Sequence, residues 1–217
     1  MKIHGLSISP NVRKVLVALN IKGLEFELIR VFPGTKTPEF LEISPLGLIP
    51  ALEDGEFAFS DSGIILEYLD EKYPDNPLMP SSLEGRARSR WFSEYGGSAV
   101  FPCCAPIFQQ RVVNPFYEKK PTDESIVEKV MNEKFPPVLT YLESQVPNEG
   151  YFFDELGAAD ISIVSPILNA EYGQFRIDES RWPKLASFVK RVKSHPAVRP
   201  CLELDAAVRE ALISGAA

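Results

Sequence analysis

Strand-sized apolar runs in this chain fall before residue 61, and beyond residue 84 the apolar residues recur at helical spacing. That change of period divides the chain into an α/β part and an all-α part. Lys2 to Leu6 makes a short strand. Val12, Val15, Leu16 and Leu19 share one helical face, and that helix ends near Gly23. Phe26, Leu28, Ile29 and Val31 form a second strand, stopped by Pro33-Gly34, and Pro38 to Leu41 makes a short helical turn. Leu52 and Phe57-Ala58-Phe59 flank Glu53-Asp54-Gly55-Glu56, an Asp-Gly hairpin pattern. Ile64, Ile65, Tyr68 and Leu69 make a second helix, closed by Pro74. The order is β-α-β-turn-β-β-α.

Residues 75 to 84 are rich in Pro, Asp, Asn and Ser and act as a linker. The domains are set at 1–78 and 85–217, joined by residues 79–84. In the second domain Gly96-Gly97, Pro102 and Pro106 are expected to bend or break a helix marked by Trp91, Phe92 and Tyr95. Pro136-Pro137 interrupts another helix, and Leu185, Phe188, Val189 and Val192 mark a later amphipathic one. Ala158 to Ala170 is apolar all round, the pattern of a helix buried at the centre of its domain. The last dozen residues are expected as a short helix with a frayed end.

A hydrophobic fraction of 45% in 217 residues supports proper cores, and a net charge of −7 argues against a nucleic-acid partner. Arg86, Arg88 and Arg90 cluster, as on a solvated helix face. No signal-like or membrane-length apolar run occurs, so no membrane partner is expected. Cys103, Cys104 and Cys201 are odd in number and lack metal-ligand spacing. His4 and His195 lie far apart, and no metal is expected. A reducing cytoplasm is the expected location.

Two stretches carry chemistry. In Ser44-Pro45-Leu46-Gly47-Leu48-Ile49-Pro50-Ala51-Leu52, a proline enters a short strand and costs it one donor. The backbone N–H and C=O of Ile49 are thereby left for a ligand. Phe59-Ser60-Asp61-Ser62 then supplies hydroxyls, a carboxylate and a helix start, which suit a zwitterionic peptide. Ser7-Ile8-Ser9-Pro10-Asn11 precedes the first helix. Ser9 is either an ordinary N-cap with proline at the first helical position or a hydroxyl that stabilises a thiolate. Asp61 and Ser62 are likewise ordinary helix starters as well as ligand groups, and a trans Pro50 is the default from the residues alone. Cys103 and Cys104 suit a cleft wall better than redox chemistry. From the residues alone, Trp91, Phe92 and Tyr95 are more often core than binding surface.

These residues resemble the cytosolic glutathione transferase family over nearly the whole chain. The likeness runs through SPLGLIPAL, FSDSGIILEYLDEKYP, ISPNVRKV, GAADISIVSPI and WPKLASFVKRVKSHPAVR. It implies a thioredoxin-like, glutathione-binding domain followed by an all-helical domain that holds the electrophile. It also implies a cis Pro50, an Ile49 backbone pairing with the cysteinyl part of glutathione, and Asp61 and Ser62 on the γ-glutamyl group. Ser9 would activate the thiol, with Ser7 or Asn11 as alternatives. Leu48 stands where relatives often carry Lys, Arg or Gln on a glutathione carboxylate, and Lys36 would compensate. Gly157 replaces the usual Ser or Thr cap before the buried Asp160. A double-serine-cysteine motif is absent. Trp91, Tyr95, Phe101, Cys104 and Phe108 are expected around the electrophile.

The resemblance implies conjugation of glutathione, as co-substrate, to a small hydrophobic electrophile. A binding or regulatory protein without turnover is the alternative of another class, and glutathione-dependent isomerisation, peroxide reduction or dehalogenation is a third reading. A homodimer is expected, formed by helices after residues 62 and 84.

Overall fold

The computed structural model describes residues 1–214. Its first part is a four-stranded sheet in the order β2-β1-β3-β4, built from β1 (Lys2–Gly5), β2 (Glu27–Arg30), β3 (Ala51–Asp54) and β4 (Phe57–Ser60). β1 and β2 are parallel, with Ile3 opposite Leu28, which requires a crossover. The crossover is α1 (Pro10–Lys22), whose Val12, Val15, Leu16 and Leu19 are fully buried. It ends in a left-handed Gly23, where the Leu24 N–H donates to the Leu19 carbonyl at 3.0 Å. β3 pairs antiparallel with both β1 and β4, and Gly55 takes a positive φ of 68° in the two-residue turn between β3 and β4. Two further helices are α2 (Pro38–Ile43) and α3 (Ser62–Lys72). The Ile49–Pro50 bond is cis, as the family resemblance implied and against the default for a proline.

The second part is helical. α4 (Leu83–Tyr95) leads through a wide, π-helical turn at Gly96–Val100 into α5 (Phe101–Phe108), and a second wide stretch covers Gln109–Glu118. The expected break is therefore an accommodation. Pro102 lacks the N–H that a regular helix would bond four residues back, and the looser turn before it absorbs the loss. Gly96 has a different cause. A Cβ there would collide with the Ser162 carbonyl oxygen, so glycine permits the close approach of two helices.

The neighbouring helix is α8 (Ala158–Tyr172), buried from Ala158 to Ala170 and packed against α1, α4 and α5. Around it stand α6 (Glu124–Lys129), a third wide turn at Val130–Lys134, α7 (Phe135–Gln145) and α9 (Pro183–Ser194). α10 (Arg199–Ser214) is longer than the short terminal helix expected, and the frayed end expected at 215–217 lies outside the described residues. No helix among the described residues is long and apolar enough to cross a membrane.

The segment between the two parts is pinned at both sides. Lys22 Nζ donates to Asp70 Oδ1 at 3.1 Å and to the Tyr73 carbonyl at 2.7 Å, while the Leu78 N–H donates to Asp70 Oδ1 at 2.6 Å. The Leu78 carbonyl accepts from the Ala158 N–H at 2.9 Å. A Cβ on Gly157 would lie 2.5 Å from that carbonyl, so the cap glycine is what the linker's approach requires here. Asp160 completes the helix start, accepting from the Gly157 and Phe152 N–H groups at 2.9 Å each.

Candidate active site

Two clefts open where the sheet domain meets the helices, and Asn11 lines both. The larger, about 490 Å³, is mostly apolar. Its floor is the loop before α1 (Leu6, Ile8, Ser9), with Leu48 and Ile49 on one side and Phe101, Cys104 and Phe108 on the other.

Ser9 stands at the N-cap of α1 with extended φ and ψ of −69° and 127°, and its carbonyl accepts the Arg13 N–H at 2.8 Å. Its side chain makes no capping hydrogen bond, so the hydroxyl is not consumed by the helix. It therefore sits in the positive potential of the helix start and is free to donate to an anion. The loop carrying it is held from below. The Ile8 carbonyl accepts from Asn169 Nδ2 at 3.0 Å and from Arg13 Nη2 at 3.3 Å. Arg13 in turn donates to the Ser165 carbonyl at 2.7 Å, to Asn169 Oδ1 at 2.8 Å and to Asp205 Oδ2.

The proline-bearing loop is fixed by one side chain. Ser44 Oγ donates to the Leu48 carbonyl at 2.7 Å and accepts from the Leu48 N–H at 3.0 Å. Gly47, at φ 66°, fits against the Thr35 carbonyl, 2.6 Å from where a Cβ would stand. Ile49 is left with neither its N–H nor its C=O engaged within the chain, among the described residues.

The second cleft, about 460 Å³, is polar and lies along α3. Asp61 caps that helix, Oδ1 accepting from the Gly63 and Ile64 N–H groups at 2.8 and 3.1 Å. Its φ of 95° is strained for a non-glycine residue, costing on the order of 1–3 kcal/mol. Such conformations persist where surrounding structure over-determines them. Asp61 Oδ2 and the Ser62 hydroxyl have no partner in the chain among the described residues.

The family model for the glutathione S-transferase N-terminal domain matches residues 3–77, and that for the C-terminal domain matches residues 107–203. A zeta-class glutathione S-transferase of Euphorbia esula is 34% identical over 85% of this chain and 82% of its own. The chain belongs to the glutathione S-transferase family. A maleylacetoacetate isomerase of Pseudomonas aeruginosa is 30% identical over 92% of this chain and 94% of its own. A solved glutathione S-transferase I bound with lactoylglutathione superposes with a TM-score of 0.83, at 26% identity, over 94% of this chain and 98% of that one. Membership makes this a glutathione-dependent enzyme with the transferase fold.

Within that family fold, the residues singled out in the sequence divide. Ser9, Asn11, Leu48, Ile49, Phe101, Cys104 and Phe108 meet at the apolar cleft, and Asn11, Asp61 and Ser62 at the polar one. Pro50 is buried beside them without lining either. Four expectations are corrected. Ser7 is buried and lines neither cleft. Lys36 is exposed in the loop before α2 and lines neither cleft. Trp91 and Tyr95 pack with Tyr141 outside the cleft, Trp91 donating to the Tyr141 hydroxyl at 3.2 Å. They precede the Gly96 turn and fall on another side of the helix from Phe101, Cys104 and Phe108, which follow one another at helical spacing.

Sequence reasoning missed the far wall. Phe32 and Tyr117 stack at 5.7 Å across the rim, Arg30 lies over Phe32 at 5.2 Å, and Val208 and Leu212 of α10 close the other side. Cys201, Asp205, Val208 and Leu212 recur at spacings of four, three and four, a helical stripe that carried the signal. Cys104 in the cleft wall is fully buried and its thiol is pushed well up by burial, so it stays protonated and is a packing group. Among the described residues no three His, Cys, Asp or Glu side chains are placed to hold a metal.

Proposed function

We propose that this enzyme conjugates glutathione to a small hydrophobic electrophile, with Ser9 as the group that stabilises the thiolate. The observation that carries the reading is the uncommitted Ser9 hydroxyl, at a helix N-terminus, facing an apolar cleft beside the unengaged backbone of Ile49. Ile49 would pair with the cysteinyl backbone, setting the sulfur near Ser9, and Asp61 and Ser62 would hold the γ-glutamyl end. The thiol proton leaves to solvent. The sulfur lone pair then forms a C–S bond while a halide, or another leaving group, departs with its bonding pair. The protein contributes a lowered thiol pKa and proximity, without a covalent intermediate. Exposed Ile64 on α3 and Trp91 on α4 support a homodimer built on those helices, and the compartment proposed is the cytoplasm.

The test is conjugation of a chloronitrobenzene by purified wild type and Ser9→Ala. A fall in kcat/KM of about 10–1000-fold is expected for loss of one donor to the developing anion. Full activity in the variant would make Ser9 only a backbone cap. The isomerase relative favours a second reading, in which the same thiolate adds reversibly to a cis-unsaturated diketo acid and is expelled after rotation. Glutathione recovered unchanged alongside an isomerised product would select it.

A further inference from the structure

The polar cleft contains a buried cation on α1. Lys14 lies one turn after Asn11 on α1, is 8% exposed, and lines the cleft with Asp61, Ser62 and Glu94. It makes neither a hydrogen bond nor an ion pair among the described residues. An ammonium buried to that degree is costly unless a partner reaches it. Burial holds its pKa down to about 8, against the opposing pull of Asp61 and Glu94. It therefore remains mostly charged at neutral pH.

The lining charges decide what fits. From α3 and the turn before it come Asp61 and Glu67; from α4 come Arg90 and Glu94; from α1 comes Lys14. Arg90 is already committed, donating from Nε and Nη2 to both oxygens of Glu67 at 2.8 and 2.9 Å. Lys14 is the lining cation left for a ligand. An amino-acid head group carries one ammonium and one carboxylate, and Asp61 Oδ2 beside Lys14 offers the matching pair. Because Asn11 belongs to both clefts, a ligand with its thiol at Ser9 reaches this cleft with its other end.

We infer that Lys14 is the carboxylate-binding residue of the polar cleft, its ammonium receiving the free α-carboxylate of the γ-glutamyl end while Asp61 takes the α-amino group. This rests on the reading of the site as a glutathione site. It gives α1 a binding role besides the thiol contact at its N-cap.

The experiment is calorimetric titration of the full chain, as wild type, Lys14→Met and Lys14→Arg. Two ligands are used: glutathione and γ-aminobutyryl-cysteinyl-glycine, which lacks only the α-carboxylate. Lys14→Met is expected to weaken glutathione by about 10–100-fold, the worth of one charge-assisted hydrogen bond, with Lys14→Arg recovering part of it. The truncated ligand should bind wild type and Lys14→Met alike. Equal glutathione affinity in both proteins overturns the assignment, as does an equal loss for both ligands, which would show a general effect of charge or fold. Weakened self-association of Lys14→Met by sedimentation, with glutathione affinity unchanged, would overturn it too, by making the lysine an interface residue. If wild type binds neither ligand at millimolar concentration, the glutathione site itself fails and the assignment falls with it.

Discussion

Arg13 and Asp205, separated by 192 positions, meet with Nε and Nη2 at 2.7 and 2.6 Å from one carboxylate oxygen, and both side chains are wholly buried. The pair joins α1 of the sheet domain to α10 at the far end of the chain. It also sets the floor of the active site, since Arg13 reaches the Ile8 carbonyl immediately before Ser9. Tyr172 adds a third contact, its hydroxyl donating to Asp205 Oδ2 at 2.8 Å.

Arg13→Met leaves Asp205 buried without its counter-charge. A loss of about 3–5 kcal/mol in unfolding free energy is expected, the usual cost of removing one partner from a buried pair. Denaturant melts would measure it. Arg13→Met combined with Asp205→Leu should recover most of the loss; a double variant as unstable as the single one would show that packing rather than charge is responsible.

Lys14→Met should stabilise the unliganded protein. The wild-type ammonium has a pKa of about 8 when folded against its ordinary 10.5, so between those values the unfolded chain binds more protons. Wild-type stability therefore rises as pH increases from about 8 to about 10.5, by up to about 3 kcal/mol in that window. The variant should lack this rise and be more stable than wild type at pH 7. Parallel pH–stability curves for the two proteins would contradict it.

Periodicity located the helical face of α1 and the buried α8, and the Asp-Gly pair located the hairpin, because local patterns decide such elements. The Arg13–Asp205 contact was invisible because nothing local marks a pairing across 192 positions. Trp91 and Tyr95 were misplaced because the wide turn at Gly96–Val100 resets the helix face, and the close approach of α8 that Gly96 permits has no local mark in the sequence.

Gly96 and Gly97 offer a matched test of that packing. Gly96→Ala should cost about 1–3 kcal/mol, since its Cβ meets the backbone of α8. Gly97 has nothing within 4 Å of a Cβ, so Gly97→Ala should gain up to about 1 kcal/mol from helix propensity. Thermal denaturation of the two variants would compare them directly.

Phe108 lines the apolar cleft, and Trp91, at 48% exposure, does not. Phe108→Ala should lower kcat/KM for an aromatic electrophile by about 10-fold or more through lost apolar contact. Trp91→Ala should stay within about twofold of wild type, because its ring lies outside the cleft against Tyr95 and Tyr141. Glutathione affinity should be unchanged in both. The opposite ranking of the two variants would return Trp91 to the site.

The most direct measurement is the ultraviolet thiolate titration of glutathione bound to wild type and to Ser9→Ala. A free thiol titrates near 8.5, and the helix N-terminus and the Ser9 hydroxyl should bring the bound thiol down toward neutrality. The bound-thiol pKa should be at least about one unit higher in Ser9→Ala than in wild type, the loss of one donor to the anion. The same pKa in both proteins would contradict it.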